Sequence, residues 1–145
     1  MAVKKVLARN WEVRVGSTDG SGGTEIKGIN SIGFTFDKED AETTDFDSEG
    51  WAEHIPAERG RSLILEGYFL EDPANGDRDS GQETVEGLAD EVGHDGLEEF
   101  TLKSPGGTEK YFEASVNIQD IGGANNEATS WGAELTVSGQ VSEVT

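Results

Sequence analysis

A chain of 145 residues with 11 basic and 30 acidic side chains carries a formal net charge of −19, and it has no cysteine. That composition excludes a disulfide framework and a thiolate metal site, and no apolar run approaches the ~20 residues of a membrane-spanning helix. It also argues against binding to a nucleic-acid backbone, because such affinity comes largely from Lys and Arg displacing counterions.

The length suits one domain, 1–145. Leu, Ile, Val and Phe together make up barely a fifth of the chain. That is close to the fraction below which a strongly charged chain stays disordered. Folding therefore demands tight patterning of those residues, or burial shared with partner subunits. Salt-adapted proteins have the same acidic composition. Residues 1–10 form a basic amino-terminal arm without the apolar stretch of a secretory signal.

Read in chain order, the periodicity is mostly two. Trp11, Val13 and Val15 alternate with Glu12 and Arg14 as a half-buried strand. Gly16–Gly23 reads as a flexible turn region, and a second extended run goes from Thr24 toward Ile29. Ile32, Phe34 and Phe36 alternate with Gly33, Thr35 and Asp37. Leu63, Leu65, Gly67 and Phe69 share one face of a later strand, opposite Ile64, Glu66 and Tyr68. Between 80 and 93 the period changes: Val85, Leu88, Ala89 and Val92 form a narrow helical stripe. Ser80 with Glu83 is placed as a capping box and Gly93 as a left-handed stop. Phe100 and Leu102 begin the final strands, followed by Phe112 to Ile118 and by Trp131 to Val141. The last strand has a continuous polar face, which implies a sheet wetted on one side. One helix among six or seven strands makes a mainly β, α+β domain.

The odd segment is 37–61, a long connection between two clear strands with little apolar alternation. Structureless connections of that length are uncommon in compact domains unless functional or disordered. Phe46, Trp51 and Ile55 lie there among many acids. The segment therefore reads as an extended arm that docks onto something.

Catalytic signatures are missing. There is no G-x-S-x-G, H-E-x-x-H or Walker-type loop. His54 and His94 stand far apart without ligand-like neighbours. Asp77-Arg78-Asp79 opens like a calcium loop, but Gln82 and Leu88 occupy the positions that need Gly and Glu. The expectation is no enzyme, no metal and no cofactor. Lys4, Lys5, Arg9 and Arg14 cluster at the amino end and Arg59 and Arg61 close the arm, as charges able to meet acidic surfaces of neighbouring copies.

The run from Ile26 to Asp72 resembles the major tail proteins of long-tailed phages and gene transfer agents. It carries an I-x-G-[IL]-x-S phrase, then Thr43-Thr44-Asp45-Phe46-Asp47-Ser48-Glu49-Gly50, then Arg61-Ser62 leading to Gly67. Gly122–Val141 is similar to that family's final glycine turn and terminal strand. The resemblance covers roughly residues 11 to 141, and the order and spacing of its phrases carry it. The acidity and the long glycine stretch at 16–23 depart from the pattern.

The resemblance implies a tail-tube-type β-sandwich or barrel with one flanking helix. It implies hexameric rings stacked into a tube inside the virion tail, assembled in the host cytoplasm. Partners would be further copies and other tail proteins (tape measure, tail terminator, distal tail or baseplate). Viral DNA would pass without specific binding, and no membrane is involved. On this reading Phe46, Asp47, Trp51, Ile55, Arg59, Arg61, Lys4, Lys5 and Arg9 are contact candidates between subunits or rings. Asp37, Glu66, Glu113 and Glu134 on polar strand faces are candidates for a lumen that repels DNA. The rival expectation is a capsid-decoration or adhesin-like β-sandwich that binds a partner surface.

Overall fold

The computed structural model describes residues 3–42, 50–51 and 54–143. Seven strands form a single antiparallel sheet. They are β1 (Glu12–Val15), β2 (Thr24–Glu25), β3 (Ile29–Glu42), β4 (His54–Tyr68), β5 (Glu98–Lys103), β6 (Glu109–Ile118) and β7 (Ser130–Glu143). One helix, α1 (Ser80–Ala89), lies between β4 and β5 in the chain. The spatial order is β2-β1-β5-β6-β7-β4-β3.

The sheet curls into a half-barrel, and two rings show how strongly. In the spatial order β3 and β6 are three strands apart, a separation of roughly 14 Å on a flat sheet. Yet the Phe34 and Phe112 rings stack with centroids 6.0 Å apart. Curling wraps the apolar face inward: Val13, Val15, Leu63, Leu65, Phe100, Phe112, Ala114, Trp131, Ala133 and Leu135 are all buried. Val85 of α1 joins this core, with Leu88 and Ala89 packed against it. The sheet thus supplies both walls of its own core, which is how a chain with so few large apolar residues buries them.

The segment expected to be an extended arm begins and ends, over residues 37–42 and 54–61, as an extension of the ladder. β3 and β4 stay paired from Ile29↔Gly67 to Glu42↔His54, with register shifts between Ile29 and Ser31 and between Glu39 and Asp40. β4 meets β7 only from Ser62 to Tyr68. Beyond Ser62 the β3–β4 hairpin therefore leaves the sheet as a two-stranded ribbon. Its sequence is mostly polar and rich in acids, so alternation offers no signal.

Three further expectations need correction. The glycine-rich run is closed by a tight turn at Asp19-Gly20, both with positive φ, 50° and 83° respectively. That is the twist that suits a two-residue hairpin. Thr18 and Ser21 exchange both backbone hydrogen bonds across it (2.9 and 2.8 Å). The helix cap is Asp79 rather than Ser80, its carboxylate accepting from the Gln82 amide at 3.1 Å. The helix ends at Ala89, not Gly93, and Val92 is 86% exposed. Gly93 (φ 68°) instead opens a 3-10 turn over Gly93–Gly96.

A buried glutamine that the helical stripe concealed fixes α1 to the sheet. Gln82 Nε2 donates to the carbonyls of Lys27 (2.9 Å) and Tyr68 (2.7 Å), and its Oε1 accepts from the Leu70 amide (3.1 Å). Gly81 beside it leaves no room for a side chain, since a Cβ would sit 2.3 Å from the Glu25 carbonyl oxygen. Gln82→Leu strands three buried backbone groups and is expected to cost about 2–4 kcal/mol. Asp79→Ala should cost about 1 kcal/mol and Ser80→Ala less than about 0.5 kcal/mol, as befits the observed cap. Denaturant titration of the three variants checks this order.

Candidate assembly surfaces

An edge, a charged face and a cationic mouth stand out as surfaces the domain leaves unsatisfied. The sheet has two edges, β2 with two residues and β3 with fourteen. A long edge strand presents a row of unpaired N–H and C=O groups, a template for another chain.

The convex face carries the charge. Registers place Asp37 opposite Gly60, Glu66 opposite Gly132, Glu134 between Ile64 and Asn117, and Glu113 opposite Ser138. All four lumen candidates therefore share one face, across β3, β4, β7 and β6. Asp37, Glu66 and Glu113 are exposed and Glu134 is half-buried. Thr35, Ser62, Ser115, Thr136 and Ser138 fill the positions between them. Among the described residues this four-strand face holds no Lys or Arg. On β1 and β5 the same face does hold cations, but each is matched: Arg14 pairs with Glu12 (3.3 Å) and Lys103 with Glu109 (3.9 Å). On this face the stretch without any cation is thus the four adjacent strands β3, β4, β7 and β6.

The concave side has the opposite character at its open end. Phe36 stands opposite Arg61, whose guanidinium lies 4.5 Å over the Phe36 ring, and Lys38 stands opposite Arg59. Below them an apolar groove of about 610 Å³ opens between β3 and β5–β6, lined by Val6, Trp11, Ile32, Phe34, Phe36 and Leu102, with Lys110 at its side. The amino-terminal residues run along it, with Arg9 in a 3-10 turn over Ala8–Asn10. Lys4, Lys5 and Arg9 are exposed, and Arg9 lines a separate small cleft beside Ile26 and Ile29.

The sequence-based contact candidates thus divide. Arg59 and Arg61 lie at this open end, whereas Lys4, Lys5 and Arg9 belong to the exposed amino-terminal segment. Trp51 is 78% exposed, beyond the described ladder. Ile55 lies in β4. Phe46 and Asp47 fall outside the described residues.

Sequence reasoning missed Glu99. Its carboxylate accepts from the Ser17 hydroxyl, the Asp19 amide (3.0 Å) and the Gly20 amide (3.2 Å), and buried Thr101 donates to Ser17 Oγ at 2.7 Å. The glycine turn thereby folds over β5 and takes one acid out of the exposed face. One residue among 30 acids gives no sequence signal of its own. The D-G pair was the available clue to an ordered turn nearby.

Known structures share this fold. A chain from the tail of an empty gene transfer agent particle with C6 symmetry superposes with a TM-score of 0.70 at 19% identity, covering 97% of this chain and 100% of that one. The fold is the tail-tube fold. The SPP1 tail tube matches with a TM-score of 0.62 at 16% identity, over 96% of this chain and 78% of that one. A chain of the sixfold-symmetrised anti-feeding prophage baseplate gives 0.58 at 13% identity, over 99% of this chain and 97% of that one. No protein-family model and no curated protein sequence matches the chain. Tail-tube likeness at these identities is a likeness of backbone, and it agrees with the mainly β fold and single helix anticipated from the residues.

Within this tail-tube fold the glycine turn is held by one carboxylate. Glu99→Ala is expected to cost about 1–3 kcal/mol. Amide exchange at Asp19 and Gly20, followed by NMR, should accelerate while the core strands keep their protection.

Proposed function

We propose that the protein is a structural subunit of a tail tube, polymerising as hexameric rings stacked within the tail of a virion or virion-like particle. The observation that carries this reading is the near end-to-end match to a tail subunit from a C6-symmetric particle. Two features of the molecule support it. The fourteen-residue free edge of β3 needs a partner strand, and a neighbouring copy can supply one in a closed ring. The ribbon beyond Ser62 extends clear of the core, where it can reach a second subunit or ring.

The acidic four-strand face is proposed to line the bore. Double-stranded DNA carries one charge per ~1.7 Å of axis, so a wall of carboxylates without counter-cations keeps the polymer from adhering. The role is that of a conduit wall rather than a catalyst. Other tail proteins would cap or fill the tube, and assembly would take place in the host cytoplasm.

Negative-stain microscopy of the concentrated protein tests the assembly, and sixfold rings or tubes are expected. A purely monomeric species at high concentration overturns the reading. The bore assignment has its own test, helped by the absence of native cysteine. In Glu134→Cys, a bulky polyethylene-glycol maleimide should label free subunits and be blocked in assembled tubes. Equal labelling in both states would put that face outside.

A further inference from the structure

The charge of this molecule is segregated, and the segregation identifies what its apolar groove receives. Of 11 basic residues, four border the open concave end: Lys38, Arg59, Arg61 and Lys110. None of them forms an ion pair among the described residues. The neighbouring acids Glu12 and Glu109 are already engaged by Arg14 and Lys103. Glu143 stands across the ladder from Lys110 without pairing with it. A chain of net charge −19 has thus built a cationic rim around an apolar mouth, where Phe36 is 64% and Val6 58% exposed.

The same chain carries the complementary piece. Between Lys38 and Arg59 the sequence has eight acids and no Lys or Arg, and Trp51 in that stretch is 78% exposed. Within one molecule the far end of this hairpin lies away from the groove. The β3–β4 ladder continues outward from Phe36↔Arg61 to Glu42↔His54. At ~3.3 Å per residue this carries the hairpin end roughly 20 Å beyond its own groove.

We infer that the apolar groove beside Trp11, Phe34, Phe36 and Lys110 is the receptor for the Trp51-bearing hairpin of a second copy. The indole fills the apolar mouth and the flanking carboxylates meet the cationic rim. Lys110 is placed to lie against the indole face, where an ammonium group is attracted to the ring. Because donor hairpin and receptor groove are different surfaces, the contact is heterologous and propagates from copy to copy. A wholly apolar pairing would lack direction. The opposed charges restrict which way round two copies meet. The inference rests on the tail-tube reading and specifies its contact.

Site-specific photocrosslinking tests it in the full-length chain, with a photoreactive phenylalanine analogue at Trp51 to keep an aromatic group there. Assembly from mixed isotopically light and heavy subunits distinguishes crosslinks between copies from those within one. Expected are intermolecular crosslinks to the Val6–Trp11 and Thr108–Lys110 peptides, falling to about a tenth in Lys110→Glu, which circular dichroism should show to be folded. Tubes whose crosslinks map to any other surface overturn the groove assignment and leave the tube reading intact. Crosslinks confined within single subunits, with neither rings nor tubes by microscopy, overturn both.

Discussion

About half the amides of a fourteen-residue strand point away from its hydrogen-bonded neighbour, and in β3 that outward side has no strand beside it. The domain could have hidden this edge with its helix. Instead α1 lies over the β1–β2 and β6 side, held by Gln82 and by the close approach of Gly81 to Glu25. The consequence is a subunit whose core is complete and whose sheet is not. Core closure comes from curling, as the Phe34–Phe112 stack across three strand spacings shows. In the proposed tube, closing the sheet would fall to other copies, and that requirement would link the fold to a polymer.

Charge is arranged around the same geometry. Period-two alternation sorts side chains onto the two faces of the sheet. The convex face of β3, β4, β7 and β6 collects acids without cations, while the concave mouth collects Lys38, Arg59, Arg61 and Lys110. A net charge of −19 spread evenly would make copies repel one another. Segregation allows the same total to repel a polyanion on one side and attract a neighbour's acidic hairpin on the other. The β3–β4 ribbon makes this compatible with a single chain, because it carries the donor well clear of its own receptor.

Much of this is legible in the residues alone. Alternation at Ile32–Phe36, Leu63–Phe69, Phe112–Ile118 and Trp131–Val141 locates the long strands, and the stripe at Val85, Leu88 and Ala89 locates the helix. The four acids picked from polar strand positions share the convex face. What the pattern misses is the stretch from Asp37 to Arg61. A two-stranded ribbon beyond the sheet carries no apolar alternation here, so a ladder looks like a loop. Glycines at 16–23 suggest slack, whereas Glu99, far away in sequence, orders their turn. The stripe predicts too long a helix because Val92 matches it by spacing, while nothing in the fold covers that side chain.

The sequence by itself determined which residues face together within each strand and helix, since that depends only on the local repeat of the backbone. It also set the total charge and the shortage of apolar volume. Which strands became neighbours, how far the sheet curled, and that Lys38, Arg59, Arg61 and Lys110 would meet at one apolar mouth were decided by the tertiary structure alone. Those outcomes depend on pairings between residues far apart in the chain, and no local pattern encodes them.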